Sequence, residues 1–150
     1  MRIIERRIKM DPIETALAFV KAINAKNIDD MYELMTADHT FVDADGAEHC
    51  GNDRMCSGWK DYFSFVPDFH IDVAETFVRD NIVMMNGKAS GTFTRDGTLN
   101  PEYSWTVPAA WRVVVDDDRI VVWQLYVNPE LMRPILERLD EATSGKDVES

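Results

Sequence analysis

The stretch TVPAAWRVVVDDDRIVVWQLYVN, residues 106–128, holds two apolar segments joined by three aspartates. β-Branched and aromatic residues dominate both segments, which is typical of strands. The run Asp116, Asp117, Asp118 interrupts them and favours a tight turn. The stretch therefore predicts an antiparallel hairpin. Its second strand is apolar on both faces, which indicates a central strand that is covered on both sides.

Two further strands precede this hairpin. Residues 70–78 alternate between apolar and polar side chains, and residues 82–94 form a longer strand whose glycines favour a bulge or strong curvature. Another strand ends near Phe41 and Val42. The sequence thus predicts four strands in its second half and one in its first half.

Helical patterns occupy the rest of the first half. Asp11 and Pro12 are typical of a helix start. Residues 28–36 predict a short second helix, and Asn52 opens a third that ends at Pro67. The order is helix, helix, strand, helix and then four strands, which predicts an α+β fold with a mostly antiparallel sheet.

The helices are too few to cover both faces of such a sheet. A sheet bent at its glycines and at Pro108 would instead wrap around the three helices of the N-terminal half as a cone. This arrangement predicts an internal pocket between sheet and helices, where a ligand would bind.

The length of 150 residues and the 45% hydrophobic content fit one domain with its own core. We expect this domain to span residues 11–138, after an N-terminal extension of residues 1–10. Residues 1–9 lack the apolar core of a signal peptide and precede Met10, so we interpret them as an extended or misassigned start. A short helix closes the domain, and the polar tail of residues 139–150 is predicted to be disordered.

The composition excludes several classes of partner. Acidic residues outnumber basic ones by 27 to 16, giving a formal net charge of -11. Such a surface repels phosphate backbones and anionic lipids, so we expect no nucleic-acid and no membrane partner. Cys50 and Cys56 are too few for a disulfide scaffold, and a cytoplasmic location is the default expectation. No phosphate-binding loop or nucleotide fingerprint appears, and we expect no cofactor.

Three segments resemble the nuclear transport factor 2-like superfamily, in particular its SnoaL-like and ketosteroid isomerase-like bacterial members. AFVKAINAKNIDDMYELMTADHTFVD, residues 18–43, is similar to its opening helix pair and first strand. GNDRMCSGWKDYF, residues 51–63, is similar to its third helix, and residues 106–128 are similar to its closing hairpin. The resemblance implies a cone around a helix-capped pocket and a homodimer formed through the outer sheet faces. These segments characterise the fold and not the chemistry.

The resemblance gives Asp43 a possible role. FVDADG, residues 41–46, is similar to the isomerase segment in which an aspartate three residues before a glycine acts as the general base. The alternative is a turn aspartate that binds nearby backbone N–H groups. The isomerases also use an oxyanion hole built from a tyrosine and a protonated aspartic acid, a worked case of pKa tuning. The matching positions here carry Phe19 and either Ala110 or Trp111, so steroid isomerase activity is not expected.

The remaining candidates are apolar side chains and histidines. The residues that we expect to bind the ligand are Phe19, Trp59, Phe63, Trp111, Trp123 and, at the pocket mouth, His49.

His39 and His70 are expected at the surface, and no histidine spacing indicates a metal site. Cys50 is interpreted as an inert thiol. The acidic run at 116–118 is expected to be solvated and not to bind a cation.

Three functions remain open from the sequence. The first is a cofactor-independent isomerase, cyclase or dehydratase that uses Asp43 as general acid/base on a small, cyclic, apolar substrate. The second is a non-catalytic module that binds a small ligand in the same pocket. The third is a dimerisation domain whose cone is filled by its own side chains. The limonene epoxide hydrolase branch of the superfamily is less well matched, because the sequence has no corresponding Asp-Arg-Asp arrangement.

Overall fold

A computed structural model describes residues 10–148. The suggested extended start at residues 1–9 lies outside the described residues. The regular elements, numbered in chain order, are α1 (Pro12–Asn24), α2 (Ile28–Leu34), β1 (Met35–Val42), β2 (Glu48–Cys50), α3 (Asn52–Phe65), β3 (His70–Arg79), β4 (Ile82–Thr92), β5 (Ser104–Asp116), β6 (Arg119–Val127) and α4 (Arg133–Val148). Short 3-10 turns at Pro101–Tyr103 and Pro129–Leu131 precede β5 and α4.

The six strands form one sheet in the order β2-β1-β6-β5-β4-β3. β1 and β6 pair in parallel, and every other neighbouring pair is antiparallel. The sheet is curled and does not close on itself. The α+β prediction with a mostly antiparallel sheet is therefore confirmed, and the curled sheet agrees with the predicted cone.

Gly87 lies on β4 at a close approach to the backbone of β3. The register of β3 shifts between Val73 and Glu75, opposite this glycine. A Cβ atom on Gly87 would lie 1.9 Å from the backbone oxygen of Asp72, so no other residue fits without a backbone shift. The sheet is irregular at this glycine, but the extra residue, Ala74, is in β3 and not in the strand of residues 82–94 where the glycines predict a bulge.

The concave face of the sheet carries the core. Alternate residues of β5 face inward, and Trp111 and Val113 are almost completely buried. Helix α1 packs against this face with Phe19 and Ile23, both fully buried. Asp11 caps α1 as predicted, because its Oδ1 accepts the N–H of Glu14 at 2.8 Å.

The structure corrects several element boundaries. Helix α2 ends at Leu34, and β1 begins at Met35, within the segment that the sequence assigns to helix. The short strand β2 is an element that the sequence does not predict. The N-cap of α3 is Gly51 and not Asn52.

The predicted disorder of the C-terminal tail is wrong, since α4 continues to Val148. Leu139 is buried against the core, and the guanidinium of Arg95 lies 3.1 Å from the Asp140 carboxylate. The hydroxyl of Thr143 donates to the Leu139 carbonyl at 2.9 Å. These contacts hold a polar segment in helical form that its composition alone would leave unfolded.

Candidate active site

A cavity of about 310 Å³ opens between the concave face of the sheet and helix α3. All four tryptophans of the sequence line it, namely Trp59, Trp105, Trp111 and Trp123. The other lining residues are mostly aliphatic or aromatic. The residues with polar side chains in the wall, apart from the indoles, are His49, Arg54 and Tyr62.

The structure brings four of the six predicted ligand-binding residues into this wall. Trp59, Trp111 and Trp123 line the cavity, and so does His49. The indole rings of Trp111 and Trp123 lie 6.4 Å apart, which defines an aromatic wall on β5 and β6.

The two predicted phenylalanines lie elsewhere. Phe19 is fully buried behind the wall, with its ring 4.9 Å from that of Trp123. Phe63 packs at 5.5 Å from the ring of Trp59 and beneath the amine of Lys26. Both are on amphipathic helices, where the sequence does not reveal which buried ring borders a void. They support lining residues and do not themselves line the cavity.

Asp43 directly follows β1 and begins the turn to β2. Its Oδ1 accepts the backbone N–H of Asp45 at 2.9 Å and that of Ala47 at 3.0 Å. The N–H of Gly46 donates to the carbonyl of Asp43, and Gly46 has a φ of 86° that favours glycine. Asp43 is therefore the turn residue of the alternative interpretation, and it is not among the residues that line the cavity.

The second oxygen of Asp43 holds a histidine. Its Oδ2 lies 2.9 Å from Nε2 of His49, and both side chains are about one third exposed. This hydrogen bond is the largest reason why the pKa of Asp43 is lowered, and the two backbone N–H donors lower the pKa further. The carboxylate is thus held in its charged form.

The strand register explains why His49 reaches the cavity. Phe41 on β1 pairs directly with His49 on β2, so both side chains leave the same face of the sheet. Phe41 lines the cavity, and its ring lies 5.9 Å from the imidazole. The hairpin therefore places His49 in the cavity wall and places Asp43 at the turn behind it.

Tyr62 is a polar lining residue that is not among the six residues predicted to bind the ligand, although the sequence offers it as one of several aromatic side chains that could line a pocket. In the structure it lines the cavity, and burial raises its pKa far above the usual value of a phenol. Its position one helical turn after Trp59 is the available signal in the sequence.

The other predicted site positions have mixed outcomes. Trp111 lines the cavity, whereas Ala110, on the adjacent position of β5, points to the convex face. His70 is exposed at the start of β3, as predicted.

The predicted surface position of His39 is wrong. This residue is fully buried in β1, and its Nδ1 lies 2.9 Å from the carbonyl oxygen of Ile120. The sequence places it in a polar approach to the strand, and the early start of β1 explains the error.

The aspartates at residues 116–118 form the predicted tight turn between β5 and β6. Asp117 and Asp118 adopt positive φ values of 49° and 63°, which is the geometry of a two-residue hairpin turn. Within residues 10–148, no group of three or more His, Cys, Asp or Glu side chains is arranged to hold a metal ion. None of the helices in this part of the chain is long and apolar enough to cross a membrane.

Solved structures with the same fold were compared with the chain. A candidate SnoaL-like polyketide cyclase from Shewanella denitrificans OS-217 superposes with a TM-score of 0.74 and 15% identity over 85% of this chain and 97% of its own. An epoxide hydrolase of Mycobacterium tuberculosis, described as LEH-like, gives a TM-score of 0.72 and 16% identity over 93% of this chain and 99% of its own. A hypothetical protein with a ketosteroid isomerase-like fold from Catenulispora acidiphila DSM 44928, in complex with trimethylamine, gives a TM-score of 0.66 and 21% identity over 78% of this chain and 86% of its own. At these identities the likeness establishes the fold.

Sequence comparisons place the chain in a family. No curated protein matches it. The profile of the SnoaL-like domain matches residues 16–123, which covers most of the chain and includes the hairpin that carries Asp43 and His49. The chain belongs to the SnoaL-like domain family.

Proposed function

We propose that the cavity binds a small, cyclic, mainly apolar molecule and that His49 exchanges a proton with it. The observation that carries the proposal is the pair at the cavity wall, in which the imidazole of a lining residue is held by a carboxylate behind it. The role of general acid/base, which the sequence suggests for Asp43, is therefore assigned to His49. Asp43 becomes a positioning residue.

The hydrogen bond to Asp43 assigns roles to the two nitrogens of His49. Nε2 donates its N–H to the carboxylate, so in the neutral ring Nδ1 carries the lone pair that can accept a proton. The charged Asp43 then stabilises the imidazolium that forms. This arrangement of an acid/base group oriented by a third group is a common feature of proton-transfer sites.

The reaction class that fits is proton transfer beside a carbonyl group. His49 takes a proton from the carbon next to the carbonyl, and the electron pair of the C–H bond moves to the oxygen as an enolate. The imidazolium then returns the proton to carbon, either at the same position or at another position of the conjugated system. Isomerisation, ring closure and dehydration can all begin with this step, and the step needs no oxidant.

The cavity volume favours this proposal over the scaffold alternative. A cone filled by its own side chains would leave no space at Trp111 and Trp123, whereas these rings border a cavity of about 310 Å³. Such a volume is at the lower end of the range for small-molecule sites. Two fold neighbours are described as a candidate polyketide cyclase and an epoxide hydrolase, which supports chemistry on small molecules. The alternative is a binding module without turnover.

The binding part of the proposal is tested with β-tetralone, a bicyclic ketone. Because all four tryptophans line the cavity, the intrinsic fluorescence reports occupancy directly. We expect saturable quenching that is lost in Gly58→Trp, which places a large ring in the wall. Urea unfolding of the variant verifies that it is folded. Quenching that is linear and unsaturated, or that is equal in the variant, would show that the cavity is not a ligand site.

We also propose that the chain forms a homodimer through the convex face of its sheet. Phe77 on β3 pairs with Met84 on β4, and their side chains are 59% and 38% exposed. Tyr126 on β6 is 47% exposed. The sequence predicts a second cover for β6, and no element within residues 10–148 supplies it. A second copy of the same face would bury these side chains.

A further inference from the structure

Arg54 places a permanent positive charge in the cavity wall, and the proposed function gives it no task. It is the third residue of α3 and belongs to the stripe of this helix that faces the cavity. The stripe recurs at helical spacing and consists of Arg54, Met55, Gly58, Trp59 and Tyr62. The same periodicity that places the aromatic rings in the wall therefore places the arginine there.

Arg54 and Gly58 mark the mouth of the cavity. Among the lining residues, these two are exposed to solvent, whereas Met55 and Trp59 on the same helix are buried. A Cβ atom added to Gly58 would have nothing within 4 Å, so the side of the mouth next to Arg54 is open. A molecule that enters beside α3 therefore passes the guanidinium.

The guanidinium of Arg54 has no hydrogen-bond or ion-pair partner within residues 10–148. By contrast, Arg95 lies 3.1 Å from the carboxylate of Asp140. The residues three and four positions further along α3 are Ser57 and Gly58, so the helix offers Arg54 no carboxylate there. An unpaired arginine on an open surface is merely solvated, but this one borders an apolar cavity. Its N–H donors are available to a bound anion.

His49 and Arg54 lie on either side of the short junction between β2 and α3, and both line the cavity. Gly51 fixes this junction, because its N–H donates to the His39 carbonyl at 2.8 Å and its carbonyl accepts the N–H of Met55 at 3.0 Å. The acid/base group and the cation are thus held together at one corner of the cavity. The ligand that suits this wall has an apolar ring for the interior and an anionic group at the mouth.

We infer that the cavity is specific for an apolar ring system that bears one carboxylate, and that Arg54 binds this carboxylate at the mouth. The inference rests on the proposed function. The planar fork of N–H donors on arginine matches the two oxygens of a carboxylate. Arg54 is then a specificity-determining residue, which selects the ligand and holds its ring beside His49 without taking a proton.

The negative charge of the whole chain does not prevent this contact. The formal net charge of -11 repels an anion at long range. Exposed charges further apart than about 8 Å are largely screened at physiological ionic strength, whereas a direct contact is screened less. The nearest cation therefore decides whether a carboxylate is accepted at the mouth.

Isothermal titration calorimetry with tetralin-2-carboxylate and tetralin-2-carboxamide tests the inference, because the two probes share one skeleton and differ in charge. We expect the wild type to bind the carboxylate more tightly. Arg54→Gln should weaken carboxylate binding about fivefold to tenfold and change carboxamide binding less than about twofold. Arg54→Lys keeps the charge and loses the fork, so it should retain part of the preference.

Lys60→Gln is the matched control, because it removes a positive charge from the same helix at an exposed residue that does not line the cavity. It should change both affinities less than about twofold. If it weakened carboxylate binding as much as Arg54→Gln does, the overall charge of the protein would be responsible and the inference would be overturned. Urea unfolding verifies that the variants are folded.

The remaining outcomes distinguish the inference from the proposed function. Equal affinity of the wild type for both probes overturns the inference and needs no variant. A preference that persists in Arg54→Gln, or equal weakening of both probes in it, also overturns the inference, since another group or mere packing would then be responsible. Each of these results leaves the cavity as a ligand site. Failure of both probes to bind while β-tetralone binds overturns the inference alone, and failure of all three overturns the proposed function as well.

Discussion

Nε2 of the His49 imidazole lies 2.9 Å from Oδ2 of the Asp43 carboxylate, across the turn that joins β1 to β2. The two residues divide between them the tasks that the sequence assigns to Asp43 alone. Asp43 closes the turn and holds the ring, and His49 faces the cavity. Substitution of each residue should therefore have a different consequence.

The first prediction concerns the turn. Asp43→Leu removes the acceptor of two backbone N–H groups and of the His49 ring, so we expect a loss of about 1 kcal/mol in the free energy of unfolding. Because the pKa of Asp43 is lowered in the fold, its contribution is fully present above about pH 4 and is lost as the pH falls through the folded pKa. Urea unfolding at neutral and acid pH measures both effects.

A matched control for this variant is Asp38→Leu, which changes an exposed carboxylate on the same strand. It should alter stability by less than about 0.5 kcal/mol. Stabilisation by Asp43→Leu would mean that the carboxylate is held in an apolar pocket at a cost, and it would restore Asp43 as the direct base.

The second prediction concerns His39. Burial lowers its pKa below that of a free histidine, although the Ile120 carbonyl and Asp38 oppose the shift. The unfolded chain therefore binds more protons below about pH 6.5, and stability falls as the pH drops through that value. Thermal unfolding between about pH 7 and about pH 5 should show this loss in the wild type.

His39→Asn tests the assignment because it keeps a donor near the Nδ1 position and removes the titration. We expect a lower stability at neutral pH and a flatter dependence on pH. His70→Asn, at an exposed strand end, should keep the wild-type dependence. An unchanged slope in His39→Asn would assign the acid sensitivity to other groups.

The third prediction contrasts two glycines. Gly87→Ala would bring a Cβ to 1.9 Å from the Asp72 carbonyl oxygen. Because this oxygen belongs to the backbone, relieving the clash requires a backbone shift that lowers stability. We expect a loss of about 2 kcal/mol or more. Gly58 is inside helix α3, and a Cβ atom added there would have nothing within 4 Å, so Gly58→Ala should gain up to about 1 kcal/mol. Changes of the same sign in urea unfolding would refute the steric argument.

The fourth prediction concerns the convex face. Phe77→Glu places a charge among its exposed apolar side chains and should shift the protein from dimer to monomer. Leu99→Glu, in the loop before β5, is the control because Leu99 is similarly exposed and lies outside the sheet. Sedimentation equilibrium measures the molar mass of the wild type and of both variants. A wild type that is monomeric at all concentrations would exclude this interface.

The sequence predicts the fold well where one signal dominates. The run of apolar residues around Asp117 gives both strands of the closing hairpin with boundaries close to those observed, because alternation and turn chemistry agree there. The cap at Asp11 is equally local. The start of β1 is missed because the segment from Met35 continues the helical pattern of α2, and only pairing with β6 makes it a strand.

The site is less predictable than the fold. The spacing of Asp43 and Gly46 correctly indicates a turn, but the same two residues at this spacing are also compatible with a carboxylate inside a pocket. His49 faces the cavity because of its register opposite Phe41, which depends on the undetected strand β2. The position of Tyr62 in the cavity wall depends on which face of α3 borders the cavity. Helical periodicity does not distinguish a residue that lines a cavity from one in a filled core.

Deuterium exchange beside the carbonyl of β-tetralone, followed by NMR in deuterium oxide, tests most directly whether His49 moves a proton. We expect the wild type to accelerate exchange over buffer and His49→Gln to lower this acceleration about a hundredfold, while the introduced amide still donates to Asp43. β-Tetralone should still bind the variant, as measured by tryptophan fluorescence. Equal exchange in His49→Gln and wild type would exclude His49 as the general acid/base, because the proton would then be moved by another group.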